Sequence, residues 1–169
     1  MNIRYRSLLP HESKNYRSIR LESLEKFPES FGANYQEALK IEKFRMESDI
    51  ENQNRDRFMT GAFSDDELIG ICAFVKEEDH AGKVYQMYVK EGFQGKNVGY
   101  GLILALIKEV HSRFGNIEIT LEVTDKNDKA FNLYKKAGFK EILSTGNNTQ
   151  KNDTNIVMEY ITDHSSKKL

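Results

Sequence analysis

Three observations predict an α/β fold, layered in the α+β manner, with a mixed central sheet of about seven strands flanked by about four helices. First, Ile117, Ile119, Leu121 and Val123 alternate without error with Glu118, Thr120, Glu122 and Thr124, the period of a half-buried strand. Second, the period just upstream is different: Val98, Leu102, Ala105, Leu106 and Val110 form one stripe at helical spacing. Third, residues 83–123 and 117–143 each have the spacing of a strand–helix–strand crossover.

Each element follows from local chemistry. Ile3 and Tyr5 alternate with Arg4 and Arg6, which predicts a strand. Pro10 stops it and opens a helix over 11–26, which Pro28 and Gly32 break. Residues 34–52 carry Leu39, Ile41, Phe44, Met46 and Ile50 among charges and predict a second helix. Runs 57–63 and 67–75 read as an antiparallel hairpin turning at Asp65-Asp66. Leu68 to Val75 is apolar at nearly every position, as in a central strand covered on both faces. His80-Ala81-Gly82 make a turn, and 83–89 form the next strand. Gly115-Asn116 end the helix that begins at 98. Asp125 is placed to cap a helix with inner face Ala130, Leu133, Tyr134 and Ala137, closed by Gly138. Strands at 139–143 and 154–161 complete the sheet, and the polar stretch 145–153 between them reads as a mobile loop. The order is β-α-α-β-β-β-α-β-α-β-β, in a single domain over 1–163 with a frayed tail at 164–169.

Composition narrows the function classes. A chain of 169 residues has room for one core. Its 25 Lys+Arg against 26 Asp+Glu leave a net charge of −1, so no global field draws it to nucleic acid or to anionic lipid. No apolar run approaches the roughly 18 residues that span a bilayer. Charge at Arg4 and Arg6 argues against a secretion signal, and a cytoplasmic location is expected. Cys72, the single cysteine, sits mid-strand and reads as buried and structural. His11, His80, His111 and His164 lack ligand spacing, so no metal is expected.

The segment that carries chemistry runs from Val89 to Leu102 and joins a strand to the best helix. Gly95, Gly99, Gly101 and Asn97 crowd this junction. Glycine lets a ligand approach the backbone, and the first helical turn offers unpaired N–H groups and the positive end of the dipole. Together these describe an anion site. The alternative is tight strand-to-helix packing with no ligand. Both the Walker pattern and G-x-G-x-x-G are absent.

Gln94-Gly-Lys-Asn-Val-Gly99-Tyr-Gly101-Leu-Ile, set after Met87-Tyr-Val89, resembles the acetyl-CoA-binding motif of the GNAT superfamily of N-acetyltransferases. A second block, Leu121-Glu-Val123 through Asn127, Ala130, Leu133-Tyr134 and Gly138-Phe139, is similar to that family's next conserved segment. Asn97 stands where the motif has its first glycine, and asparagine tolerates left-handed backbone better than most residues. The resemblance implies the GNAT fold and acetyl transfer from acetyl-CoA to a primary amine of a small molecule or a protein terminus, by direct attack in a ternary complex. It implies that Met87, Tyr88 and Val89 meet the pantetheine arm, with the Val89 N–H at the thioester carbonyl. Gln94, Gly95, Lys96, Asn97, Val98, Gly99 and Tyr100 would wrap the pyrophosphate, Asn127 would contact the cofactor from the other side, and the cofactor would enter a split between strands 84–89 and 117–123.

The same resemblance places Tyr134 where the family commonly has the acid that protonates the leaving thiolate, and Glu122 where some members have the base. Tyr134 also fits a packed aromatic, and Glu122 a solvated carboxylate. Glu91, Gln86 acting through water, or Tyr85 are alternatives for the base. Phe31, Gly32 and Tyr35, in or beside the loop between the first two helices, are candidates to line the acceptor site, against the plainer reading of aromatic core packing. Residues 22–51 hold eight acidic and four basic side chains, a local balance that would favour a cationic acceptor if it faced the site. Homodimers are common in the family, which is analogy only. Two rival readings remain: a protein that binds CoA without turnover, which Asn97 in the motif keeps open, and a nucleotide-binding protein.

Overall fold

The computed structural model describes residues 2–27, 34–142 and 155–161. The expected loop 145–153, the tail 164–169, and the acceptor-site candidates Phe31 and Gly32 lie outside them. Seven strands form one sheet: β1 (Ile3–Ser7), β2 (Arg57–Ser64), β3 (Glu67–Glu78), β4 (Ala81–Val89), β5 (Glu118–Thr124), β6 (Phe139–Glu141) and β7 (Asn155–Tyr160). Their spatial order is β1-β2-β3-β4-β5-β7-β6. Among the described residues, only β4 and β5 are parallel neighbours. A crossover helix is therefore needed between them, and α4 (Val98–Phe114) supplies it.

Helices cover both faces. On one, α4 and α5 (Asp128–Ala137) bury Leu102, Ile103, Leu106, Val110 and Tyr134 against Phe58, Ala62, Cys72, Phe74 and Leu121. On the other, α1 (Ser13–Lys26) and α3 (Arg45–Glu51) bury Tyr16, Ile19, Met46 and Ile50 against Met59, Phe63, Ile71, Ala73 and Tyr88. Residues 68–74 of β3 are buried throughout, because this strand has a helical layer on each side. Each fully buried Leu or Ile in these layers contributes about 1.5–3 kcal/mol.

Four expectations are corrected. The helix expected over 34–52 is two, α2 (Tyr35–Leu39) and α3, so the described helices number five. Asn34 caps α2 by accepting from the Gln36 and Glu37 N–H groups at 2.8 and 3.2 Å. The chain then leaves the helix, and α3 restarts where the Glu47 carboxylate accepts the Phe44 N–H at 2.9 Å. Glu47 is fully buried and also holds Arg17 at 2.7 Å and Lys14 at 2.9 Å, so this tertiary network places the break. The first helix begins at Ser13, after a short 3₁₀ turn Pro10–Glu12. The turn before β4 is Asp79-His80, and Ala81 and Gly82 belong to the strand. Finally, Asn127 and not Asp125 caps α5: its Oδ1 accepts the Ala130 N–H at 3.1 Å.

Candidate active site

The parallel pairing of β4 with β5 lasts three positions: Ala81 with Glu118, Gly82 with Ile119 and Lys83 with Thr120. Beyond Lys83 the strands part. β4 stays on β3 as far as Val89, while β5 pairs with β7 up to Thr124. The second half of β4 therefore has a gap on its β5 side, at the carboxyl end of the strand, where open α/β sheets take ligands.

A bulge in β4 decides what faces this gap. Tyr85 pairs with Ala73 but Tyr88 pairs with Ile71, so Gln86 and Met87 together oppose Cys72. Gln86 takes a left-handed backbone, φ 54°. The Lys90 N–H donates to Ile69 O at 2.9 Å, which makes the Gly70–Val89 pair the kind whose N–H groups point away from each other. The Val89 N–H is thus turned from β3 toward the gap. The bulge also moves Met87 and Val89 to the α4 side and Tyr88 to the α1 side.

The loop after β4 closes one end of the gap. Gln94 Nε2 donates to Val89 O at 2.8 Å, tying the loop to the strand end. Gly95 (φ 77°) has open space beside its Cα, and Asn97 (φ 63°) takes the left-handed conformation directly before α4. The Asn97 side chain makes no capping bond, and its carbonyl receives the Gly101 N–H at 3.1 Å. The N–H groups of Val98, Gly99 and Tyr100 precede the first intrahelical bond and point out of the helix start. Lys96 lies exposed over the Phe93 ring, 5.9 Å from its centroid. The Lys136 ammonium sits 4.4 Å from the centroid of Tyr100.

Gly99 and Gly101 do different work from Gly95. A Cβ at Gly99 would stand 3.2 Å from Leu133 and 3.5 Å from Met87, so α4, α5 and β4 converge there. A Cβ at Gly101 would stand 2.4 Å from the Tyr5 ring, so this glycine seats α4 against β1. The packing reading holds for Gly101, and the open donors lie at 95–100.

Tyr134 is buried, with its ring edge-on to Phe139 at 5.9 Å. Burial, with a smaller contribution from Cys72, pushes its phenol well above the ordinary value. Cys72 is itself fully buried and its thiol is pushed up by burial, so it stays protonated and inert. Glu122 lies on the opposite face and is ion-paired with Lys83. Tyr85 donates to Glu77, and burial followed by that bond pushes its phenol up to about 12. Glu91 is exposed, 3.8 Å from Lys26. Asn127 spends its Oδ1 on capping α5 at the same end of the sheet. Tyr35 opens α2. Much of the acidic excess in 22–51 is spent internally: Glu47 on Lys14 and Arg17, Asp49 on Arg57, Glu51 on Lys43. Among the described residues no group of three or more His, Cys, Asp or Glu gathers as a metal site, and no helix is long and apolar enough to cross a membrane.

Two contacts at the gap have no signal in the sequence. Tyr88 Oη donates to Glu22 at 2.6 Å, and Tyr16 Oη donates to Gln86 Oε1 at 2.8 Å. Their partners are 66 and 70 positions apart, beyond the reach of any local periodicity.

An elongated ligand with a diphosphate at one end and a thioester at the other fits these features. Uncapped N–H groups at a helix start, as at 98–100, are of the kind that bind phosphate, and the Val89 N–H is turned toward the parted strands.

Known proteins share this fold. The chain matches an N-alpha-acetyltransferase of Sulfurisphaera tokodaii at 38% identity over 61 residues, and that segment spans 36% of this chain and 36% of the relative's length. The fold superposes on an acetyltransferase of the GNAT family from Streptococcus pneumoniae with a TM-score of 0.78, at 18% identity, covering 96% of this chain and 100% of the other. It superposes on the PaiA N-acetyltransferase of Thermoplasma acidophilum, solved in complex with coenzyme A, with a TM-score of 0.74 at 24% identity and the same coverage of 96% and 100%. A ribosomal-protein-alanine N-acetyltransferase from Brucella melitensis gives 0.70 at 16% identity, covering 94% and 99%. The family model described as Acetyltransferase (GNAT) family matches residues 17–139, from the first helix through the gap and both motif blocks. With sequence, topology and the parted central strands in agreement, the chain belongs to the GNAT acetyltransferase family.

Proposed function

We propose that this protein transfers the acetyl group of acetyl-CoA to a primary amine, on a small molecule or a protein terminus, by direct attack within a ternary complex. The observation that carries this reading is the Val89 N–H turned into the β4–β5 gap beside a helix start with uncapped donors. When bound, acetyl-CoA supplies an activated acyl group as a thioester. The protein's own residues hold and polarise it.

The N–H groups of Val98, Gly99 and Tyr100, with the flexible Gly95 and the solvent-facing Lys96, bind the pyrophosphate. Asn97 at φ 63° takes a left-handed backbone of the kind glycine adopts freely, which weighs against a protein that has lost CoA binding. The Val89 N–H donates to the carbonyl oxygen as negative charge develops there, a role worth about 3–4 kcal/mol in enzymes from which such a donor has been removed. Tyr134, kept protonated by burial, gives its proton to the departing sulfur. The amine must lose a proton before or during attack, and Glu122 on the opposite face is the proposed acceptor. Tyr35, the first residue of α2, is proposed to contact the acceptor.

Thermal unfolding with acetyl-CoA, CoA, NADH and ATP in parallel tests the cofactor. A ligand at a hundred times its Kd adds about 2.7 kcal/mol, which raises the Tm of a domain this size by roughly 5–10 °C. A rise with the CoA ligands alone supports the reading, and release of free thiol across an amine panel then tests turnover. A rise with NADH or ATP alone overturns it.

A further inference from the structure

The β4 bulge is held from the other side of the sheet. In an uninterrupted ladder, Ala73–Tyr85 would be followed by Ile71 opposite residue 87 and Ile69 opposite Val89. The Val89 N–H would then be spent on Ile69 O, the acceptor that Lys90 now occupies at 2.9 Å. One extra residue therefore decides whether the amide facing the gap is available. That residue is Gln86, a non-glycine in left-handed backbone, a conformation that persists only where its surroundings over-determine it.

The Gln86 side chain is held by Tyr16. The Tyr16 side chain is almost fully buried between α1 and the sheet, edge-on to Phe44 at 6.4 Å. Its hydroxyl donates to Gln86 Oε1 at 2.8 Å. Burial pushes the Tyr16 phenol up to about 12, so it remains a donor throughout the neutral range.

We propose that Tyr16 is a positioning residue for acyl transfer: its bond to Gln86 fixes the β4 bulge and so keeps the Val89 N–H directed into the cofactor gap. The inference rests on the acetyl-CoA reading for its functional meaning, and on the register of β3 and β4 for its structural content.

Three single variants and one double variant test it, because glycine adopts a left-handed backbone without help. Tyr16→Phe and Gln86→Ala each lose the bond, while Gln86→Gly loses the bond but retains the backbone preference. Two readouts are taken: amide hydrogen exchange of residues 84–90 in the ligand-free protein, and acetyl-CoA affinity by calorimetry. Tyr16→Phe and Gln86→Ala are expected to speed exchange in that segment and to weaken acetyl-CoA binding, each about five- to tenfold, the scale of one hydrogen bond. Gln86→Gly, and the double variant Tyr16→Phe with Gln86→Gly, are expected to behave like the wild type in both. Unchanged exchange in Tyr16→Phe and Gln86→Ala, or a double variant as impaired as Tyr16→Phe alone, overturns the proposal. Should Tyr16→Phe unfold, the contrast between Gln86→Ala and Gln86→Gly decides the question on its own. A wild type that fails to bind CoA overturns the functional reading instead, and the exchange arm still decides whether Tyr16 holds the bulge.

Discussion

The Tyr88 hydroxyl donates to Glu22 Oε2 at 2.6 Å and so joins the end of β4 to α1 across 66 positions of sequence. Tyr88 is buried, and Glu22 also lies 3.9 Å from Lys90. A bond from a buried hydroxyl to a carboxylate is worth about 1.5–3 kcal/mol. Tyr88→Phe keeps the ring contact with Phe27 (5.9 Å) and removes only the bond. We expect a loss of stability of about 1.5–3 kcal/mol, read as a lower urea midpoint at unchanged m. An unchanged midpoint would show that the bond contributes nothing net.

Gly101→Ala is expected to destabilise the protein without weakening the cofactor site. The added Cβ would stand 2.4 Å from the Tyr5 ring, which has to be displaced, and overpacking of this kind costs about 1–3 kcal/mol. The Tm should fall, yet the increment that CoA adds should match the wild type. A lost CoA increment would move Gly101 from packing into ligand binding.

Tyr134→Phe is expected to lower kcat by about a hundredfold or more while leaving acetyl-CoA affinity within about twofold, as for loss of a general acid. The ring and its packing on Phe139 are retained. Because burial raises this phenol, the wild-type rate should show no alkaline limb from Tyr134 in the neutral range. Steady-state kinetics across pH read both effects. An unchanged kcat removes Tyr134 from the chemistry.

Glu122→Gln bears on the base. Should Glu122 take the amine's proton, the acidic limb of kcat/KM changes in this variant. Glu122 is also ion-paired with Lys83, so Lys83→Met serves as the control for losing that pair alone. A Glu122→Gln profile identical to the wild type transfers the role to another group.

Glu159 on β7 and Glu118 on β5 make a pH-dependent pair at the far end of the sheet from the gap. The hydrogen bond to Glu118 first, then burial, pushes Glu159 up to about 7. A folded-state value above the unfolded one means the folded state holds the proton more tightly. Its stabilisation is complete below the unfolded value near 4.5 and is lost as pH rises through about 7. Glu118→Gln should flatten that part of the Tm–pH curve and make the protein more stable than the wild type at pH 8. Superimposable curves for the two proteins would dismiss the pair.

Most of the fold was legible because its signals are local. Alternation over 117–124 and the stripe from Val98 to Val110 each report a one-sided environment, and both elements formed where expected. The left-handed position in the loop before α4 was legible in Asn97, since few other residues take that backbone cheaply. The break in 34–52 was not, because the buried Glu47 makes it by pairing with Lys14 and Arg17 from a different helix.

By itself the sequence determined the order of the strands and of the two helices after β4, the two-sided burial of β3 and the loop that opens α4, all set by spacings within a few residues. Only the tertiary structure decided which backbone group faces the gap. A one-residue bulge reverses the parity of everything after it, sending Met87 and Val89 to one face and Tyr88 to the other. The composition of β4 carries no mark of that reversal, because the bulge is stabilised by a hydroxyl 70 positions away, on a helix that meets it only when the chain is folded.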